Sequence, residues 1–369
     1  MTQTNQPGKI LLWAILSVAT LLTILFFGLR PKGLCMGNPV SIMVDKAAIS
    51  FKPNGIAYVD NIGSGSLLDA VNSLTLELAV EPDRAEGRGF GALLMLHGGN
   101  DQQQLFVGQW ESSLVIMNGN DYDHTRKLPR LTAKDAFLSK KMRLVTILAG
   151  NGGTYLYLDG ELISSNTRWQ LKIPRSGQKI RMVLGNSVTG KNSWIGRIYG
   201  VSLYNAAFTA DKVKRHYEMW KKNKRITHDH DNNMLAAYNF QSIGDDCVED
   251  LSGQNHPLII PEKPIVLGKK FLRPPWENFN LGKSLCIDVT INLIGFIPLS
   301  FVLSGFIRSV GLTPERRYTF ILILFCCCIS LIIEIIQAWM ATRSSSMLDL
   351  ILNSSGAYIG IWLFGRLLD

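Results

Sequence analysis

The sequence has few charged residues and few cysteines for its length. Of its 369 residues 18% are charged and six are cysteine, and the mean hydropathy is +0.13. Soluble globular chains carry about 25% charged residues, so this composition favours membrane segments and argues against disorder. The sequence has no Gly-rich phosphate loop, nucleophile elbow, Cys-x-x-Cys pair or zinc-ligand spacing, which removes the motifs of several common enzyme classes.

The net charge of +9 is unevenly distributed. Residues 1–29 contain only Lys9, and residues 285–369 hold five Arg and five acidic residues, so residues 30–284 carry +8. A basic excess can indicate nucleic acid binding, but this one lies between long apolar runs. We therefore expect it to face anionic headgroups or wall polymers, and we expect no nucleic acid partner.

Four apolar runs are long enough to cross a membrane. The first, residues 10–29, has 20 residues without a charge, about 30 Å as a helix, and no cleavage site follows it. The other three cover about 285–307, 318–341 and 347–368. The loop between the second and third runs contains Arg308, Arg316 and Arg317, which places it in the cytoplasm by the positive-inside rule. The sequence predicts a multi-pass protein of the cytoplasmic membrane with both termini, including residues 1–9, in the cytoplasm.

Residues 33–265 are predicted to form one extracytoplasmic all-β domain, joined to the second span by a linker at 266–284. Short alternating runs indicate strands, and Asp159-Gly160 between two such runs indicates a hairpin. One helix is predicted after the strands, with Thr209 as its N-cap.

The segments Ser73–Glu77 and Trp194–Asn205, with the hairpin and the Thr209 helix, resemble the concanavalin-A-like, laminin-G-like jelly-roll sandwiches. The family's opening signature, Leu-Ala-x-Tyr-x-Phe and then Asp-x-Ser-Gly, occurs late here, at Leu235–Phe240 and Asp250–Gly253. This order fits either a circular permutation or a final strand pair that completes the sheets.

The resemblance implies sugar binding, sometimes with calcium; we expect no other cofactor. Candidate calcium ligands are Asn118, Asn120, Asp121 and Asp123, and candidate sugar-stacking aromatics are Trp110, Tyr122 and Trp169. The alternatives are ordinary turn residues and ordinary core aromatics. Cys35 and Cys247 lie near the ends of the domain, where a disulfide would join its termini on the oxidising side of the membrane.

Polar residues inside the C-terminal spans give the most specific pattern, since such residues are costly in a membrane. They share helix faces at spacings of three or four, and the three acids fall in the outer half of the membrane. The set comprises Asp288, Asn292, Glu334, Gln337, Asp349 and Asn353, with Arg343 in a loop and Gly356 and Gly360 for helix packing. They form either hydrogen bonds that hold the helices together or a polar pocket for a headgroup or lipid-linked precursor.

The same residues, with Phe296 and Pro298, resemble the VanZ-like membrane proteins over residues 285–369 and the first span. This resemblance implies a four-span bundle and a link to tolerance of cell-wall antibiotics. The family usually has a short loop where this chain has its β domain.

Together these features indicate a non-enzymatic protein of the bacterial envelope that binds a glycan or another surface ligand outside and lipid or a peptidoglycan precursor within the membrane. One alternative is a membrane enzyme with Glu334 or Asp349 as general base and Arg343 on a phosphate. A transporter is disfavoured, since four spans without an inverted repeat are few for one chain.

Overall fold

The apolar runs and the short alternating strands fold into two separate units in the computed structural model of the chain. One unit contains residues 1–34 and 269–369, and the other contains residues 35–268. The structure describes residues 7–30, 37–62, 73–85, 89–99, 102–122, 124–174, 180–223, 233–240, 247–263, 265–267, 271–278, 283–312, 316–340, 343 and 345–368.

Four long helices make up most of the first unit. They are α1 (Pro7–Leu29), α3 (Lys283–Ser309), α4 (Arg316–Trp339) and α5 (Met347–Leu368). Each contains a window apolar and long enough to cross a membrane. This confirms the predicted bundle of helices that can span a membrane.

The helices bury a small core and leave many of their large apolar side chains exposed. The core contains Phe296, Leu299, Cys326, Ile329, Ile333 and Ala357, with α1 side chains such as Leu25 packed against it. Phe26, Ile291, Phe320 and Trp362 are among the exposed apolar residues. Such an outward apolar surface is typical of helices in contact with lipid.

Two eight-stranded antiparallel sheets form the second unit. The strands are β1 (Val40–Met43), β2 (Ala48–Phe51), β3 (Ala57–Val59), β4 (Leu74–Pro82), β5 (Phe90–His97), β6 (Leu105–Trp110), β7 (Ser113–Asn118), β8 (Arg130–Ala133), β9 (Arg143–Gly150), β10 (Gly153–Leu158), β11 (Glu161–Asn166), β12 (Arg181–Leu184), β13 (Gly196–Tyr204), β14 (Met234–Asn239), β15 (Cys247–Val248) and β16 (Leu258–Ile259). The first sheet has the order β1-β2-β13-β4-β9-β10-β11, with β14 also paired to β13, and the second has the order β15-β16-β3-β12-β5-β6-β7-β8. This confirms the predicted sandwich.

The predicted hairpin joins β10 to β11. Leu158 pairs with Glu161, so Asp159 and Gly160 are its two turn residues, with φ of 54° and 80°. Positive φ at both positions is the geometry that an Asp-Gly turn favours.

The family signature that occurs late in this sequence lies in and around the last three strands, which contribute to both sheets. Its first part forms β14, which pairs with β13 beyond the segment that β2 pairs with. The strands β15 and β16 that follow extend the edge of the second sheet. These strands therefore lie at the edges of the sheets, an arrangement that both sequence-based alternatives allow.

Helix α2 (Ala210–Asn223) packs on the outer face of the first sheet. Thr209 caps it, since the Thr209 Oγ1 accepts the N–H of Lys212 at 3.3 Å. The helix buries His216, whose Nδ1 lies 3.1 Å from the Glu77 Oε2, a carboxylate that is itself buried on β4.

Candidate functional site

Polar side chains from three helices meet at the end of the bundle where α1 and α4 finish and α3 and α5 begin. We call Asp288, Asn292, Glu334, Asp349 and Asn353 the acceptor cluster, because their oxygens dominate it. Glu334 and Asn353 are 2% and 5% exposed, Asp349 and Asn292 are half-buried, and Asp288 is exposed. The cluster is therefore deepest between α4 and α5 and opens at α3.

The start of α5 contacts the deepest carboxylate. The Ser346 N–H donates to the Glu334 Oε2 at 2.7 Å, and the Ser346 Oγ accepts the Asp349 N–H at 3.4 Å. Ser346 is thus the N-cap of α5, and Asp349 occupies the third helical position. The Ser346 N–H, which the side chain at that position accepts in a capping box, donates here to Glu334. Both carboxylates lie where the partial positive charge of the helix N-terminus stabilises negative charge.

Asp349 lies among other acids. Its carboxylate interacts electrostatically with Glu334 and Asp288 and contacts the side chains of Ser346 and Asn292. The ion pairs found among the described residues all lie in the sandwich. Within the described part of the bundle, the three acids therefore lack a basic partner.

Asn353 lies one turn after Asp349 on α5. Its Nδ2 donates to the Ser330 Oγ at 2.8 Å, and Ser330 lies one turn before Glu334 on α4. The Asn353 Oδ1 is buried and, among the described residues, has no hydrogen-bond partner. A buried acceptor without a donor costs about 1–3 kcal/mol, so this amide is not explained by helix packing alone.

Gln337 and Arg343 hold the end of α1. The Gln337 Nε2 donates to the Gly28 carbonyl at 2.8 Å, and the Arg343 Nη2 donates to the carbonyls of Phe27 and Arg30 at 3.1 and 3.2 Å. The last carbonyls of a helix have no partner within the helix and carry partial negative charge. The described partners of the Arg343 guanidinium are thus carbonyls rather than carboxylates.

Gly356 and Gly360 bring α5 close to α3. A Cβ on Gly356 would meet the Leu293 carbonyl, and one on Gly360 would meet the Ser300 Oγ and the Ile297 carbonyl. The two backbones approach at these positions because glycine has no side chain.

The segment before α3 also contributes to this end of the bundle, which the sequence reading missed. Arg273 bridges to Ser346, its N–H donates to the Ser345 carbonyl at 3.1 Å, and its own carbonyl accepts the Met347 N–H at 3.1 Å. Ser346-x-x-Asp349 was the available signal for the cap, but the Arg273 pairing depends on backbone contacts without a sequence pattern.

In the sandwich, the described candidate calcium ligands are hydrogen-bonded to other protein groups. Asn118 exchanges hydrogen bonds with the Lys172 backbone at 2.8 and 2.9 Å, and the Asn120 Oδ1 accepts from Arg126. Asp121 accepts the N–H groups of Arg126 and Leu128, both at 3.0 Å. Burial raises the pKa of Asp121, but these hydrogen bonds and the Arg126 charge outweigh it and lower the pKa overall.

Asp123 lies outside the described residues. No group of three or more His, Cys, Asp or Glu side chains within the described ranges has an arrangement that could hold a metal ion. Calcium binding by this loop therefore stays a prediction.

The candidate aromatics differ in exposure. Trp110 is 41% exposed and packs on Phe90, with ring centroids 4.8 Å apart. Tyr122 is half-buried against Phe90 and Phe106, and Trp169 packs against the main core. Trp110 is thus the most accessible of the three.

Cys247 is exposed on β15, whereas Cys35 lies outside the described residues. The disulfide between them stays a prediction.

Comparisons with known proteins agree with the two resemblances. The VanZ/LLP1 family model matches residues 216–368, and a model of the concanavalin A-like lectin/glucanases superfamily matches residues 56–214. The first match begins within α2 and includes β14–β16, so it is wider than the resemblance over residues 285–369; α1 lies outside both matches. A comparison with curated proteins found no match.

Several solved structures are similar to the sandwich. A Bacteroides ovatus protein assigned to carbohydrate binding is 12% identical with a TM-score of 0.41, and the alignment covers 57% of this chain and 60% of that protein, less than two thirds of its length. The CBM40 domain of a Ruminococcus gnavus sialidase, bound to α2,3-sialyllactose, is 13% identical over 50% of this chain and 98% of that one, with a TM-score of 0.35. Domain 4 of a Geobacillus stearothermophilus GH43 arabinanase, in complex with arabinotriose, is 14% identical over 48% of this chain and 80% of that one, with a TM-score of 0.34.

Each of these sugars is the ligand of the other protein. The chain thus contains a first apolar helix, then a region similar to the concanavalin A-like superfamily, and then a C-terminal region similar to VanZ/LLP1 with helices that can span a membrane.

Proposed function

We propose that this protein is a non-enzymatic receptor of the bacterial cytoplasmic membrane, with its sandwich outside the cell. The sandwich binds a glycan of the envelope, and the bundle binds a lipid or lipid-linked precursor at the acceptor cluster. A role in tolerance of cell-wall antibiotics would follow from sequestering such a precursor.

The acceptor cluster is the observation that carries the proposal for the bundle. Polar groups within a membrane span are costly unless they pair with one another or bind a ligand. Side chains that only hold helices together pair each hydrogen-bond acceptor with a donor. This cluster combines three carboxylates with a buried amide oxygen that has no described partner. It opens at α3, where Asp288 is exposed.

Native mass spectrometry of the full-length protein in detergent tests lipid binding. We expect a lipid to remain bound to the wild type and to be lost from Asp349→Asn and Asn353→Leu. Gly295→Ala is the matched control, because a Cβ at Gly295 has no atom within 4 Å. A wild-type spectrum without lipid, or equal retention by all four proteins, would contradict the proposal.

For the sandwich, the family match and the exposed Trp110 support binding of a sugar ring by stacking. We expect the full-length protein in nanodiscs to bind envelope glycans on an array and Trp110→Ala to bind about tenfold more weakly. Leu138→Ala, another exposed apolar residue of this unit, is the control. Absence of binding to every envelope polysaccharide and peptidoglycan fragment would sink this half of the proposal.

The enzymatic alternative rests on Asp349, a half-buried carboxylate without a described basic partner. Release of phosphate or a headgroup from bound lipid by the wild type, but not by Asp349→Asn, would favour it over a receptor.

A further inference from the structure

Arg343 and the acceptor cluster have different hydrogen-bond partners, and this difference limits the chemistry of the ligand that the cluster can bind. The Arg343 Nη2 is engaged by carbonyls at the end of α1, whereas the buried Arg343 Nε has no partner among the described residues. The cluster itself presents three carboxylates and the Asn353 amide oxygen, and the Asn292 side chain donates a hydrogen bond to Asp349. We propose that the acceptor cluster binds an ammonium group of a lipid headgroup and not the phosphate. This inference rests on the proposed function, since it names the chemistry of the lipid that the bundle binds.

Charge is the first reason. Asp349 lies within electrostatic range of both Glu334 and Asp288, and no basic side chain pairs with these three acids among the described residues of the bundle. The helix N-terminus at Ser346 offsets part of this charge at Glu334. A phosphate brought to this place would meet like charge, whereas a cation would be stabilised.

The second, independent reason is Asn353. This residue is 5% exposed, and its amide lies one turn deeper than Asp349 on the same face of α5. Its nitrogen already donates to Ser330, so the oxygen that remains needs a donor. A primary ammonium has three N–H donors and no acceptor, which matches a site made of acceptors.

The exposure of the cluster gives a route of entry. Side chains become more accessible from Glu334 and Asn353, through Asp349 and Asn292, to Asp288 on the surface of α3. Asp288 is near the start of α3, the level at which a lipid headgroup meets a span. A headgroup amine can therefore reach the cluster from the side while its acyl chains stay against the apolar surface.

A metal ion fits less well. Calcium and magnesium take six or more oxygens in a defined arrangement, and the described residues do not form a metal-binding group here. A single proton shared between Asp349 and Glu334 would reduce the charge but would supply only one donor.

Competitive native mass spectrometry of the full-length protein tests the inference. The probes are phosphatidylethanolamine, phosphatidylcholine and phosphatidylglycerol with identical acyl chains. Phosphatidylcholine keeps the phosphate and the positive charge but has no N–H donor, and phosphatidylglycerol has no cation. We expect phosphatidylethanolamine to be retained about tenfold more than either lipid, and we expect Asp349→Asn and Asn353→Leu to abolish this preference.

The Arg343→Lys variant tests whether the protein recognises the ammonium or the phosphate of the lipid. It keeps a donor for the α1 carbonyls, and we expect it to keep the preference for phosphatidylethanolamine. Loss of all three lipids in Arg343→Lys, with an unchanged melting temperature, would assign recognition to the phosphate and overturn the inference. Displacement of the lipid by millimolar ethanolamine would show that the amine is recognised without acyl chains.

The two proposals fail differently. Equal retention of all three lipids by the wild type, lost in Asp349→Asn, would overturn the ammonium inference and leave lipid binding in place. Retention of none of them would overturn both. Phosphatidylethanolamine preference that survives in both Asp349→Asn and Asn353→Leu would place the amine site elsewhere and also overturn the inference.

Discussion

Asp250 shows how a residue of a family signature acts in this chain. It is 7% exposed, and its carboxylate accepts the N–H groups of Ala237, Ser252 and His256 and the hydroxyl of Ser252, at 2.8–3.1 Å. Asp250 thereby holds β14 to the turn that follows β15. Its role in this structure is to satisfy buried donors, which explains why Asp and Ser occur two residues apart.

We expect Asp250→Ala to destabilise the sandwich by about 3 kcal/mol, because it leaves buried N–H groups without an acceptor. Asp250→Asn keeps one acceptor oxygen and should cost less. The measurement is urea unfolding of the purified full-length protein in detergent, followed by near-UV circular dichroism. Asp211→Ala, at an exposed position of α2, is the control. A loss below about 0.5 kcal/mol in Asp250→Ala would refute this role.

At the scale of the elements, the backbones of α3 and α5 approach each other closely at two glycines. Gly356 and Gly360 lie one turn apart on the face of α5 that meets α3. Ser300 and Ser304 on α3 are also buried, so small residues line this contact. The Ser304 hydroxyl donates to the Ser300 carbonyl at 2.8 Å. Small side chains permit the van der Waals packing that holds membrane helices together.

Gly360→Ala is expected to destabilise the bundle by about 2 kcal/mol, since the new methyl group would force α5 away from Ile297 and Ser300. Gly295→Ala, on the opposite side of this contact in open space, should leave stability unchanged or slightly raised. Thermal unfolding of both variants in detergent measures the difference. Equal melting temperatures for Gly360→Ala and Gly295→Ala would show that the close contact between α3 and α5 does not contribute to stability.

The sequence predicts the elements of the bundle well, because span length and apolar composition are local properties. The predicted run at 347–368 coincides with α5, and the run at 285–307 lies within α3. The partners of Arg343 leave no such local trace, since they are backbone carbonyls of a helix more than 300 residues earlier. Strand order in the sandwich is equally non-local, as β13 pairs with β2, β4 and β14.

The sequence predicts the acceptor cluster only in part. Spacings of three and four placed Asp349 and Asn353 on one face of α5, and Asp288 and Asn292 on one face of α3. The separation of Arg343 from the acids could not be predicted, because it depends on where α1 ends. Ser330 was overlooked as the Asn353 partner, since serine is common and inexpensive in membrane helices.

At the scale of the whole molecule, the distribution of charge and the order of the spans make one consistent topology. Residues 30–284 carry +8, and residues 285–369 are neutral. Arg308 and Arg317 flank the loop between α3 and α4, which favours the cytoplasm for that loop. With that loop in the cytoplasm, we expect both ends of the sandwich unit to lie outside, where anionic headgroups and wall polymers would complement its net positive charge.

The exposed thiol of Cys247 makes this topology measurable in intact cells. We expect a membrane-impermeant maleimide to label it without lysis. Cys247→Ser should lose the label at position 247, leaving only label on Cys35, which lies on the same side, whereas Cys286→Ser should keep the label at Cys247. If a disulfide joins Cys247 to Cys35, labelling will require an impermeant phosphine reductant first, and Cys35→Ser will remove that requirement. The two conditions thus report the orientation and the disulfide separately. Labelling of Cys247 that appears only after the membrane is broken would place the sandwich in the cytoplasm, where the proposed glycan could not reach it.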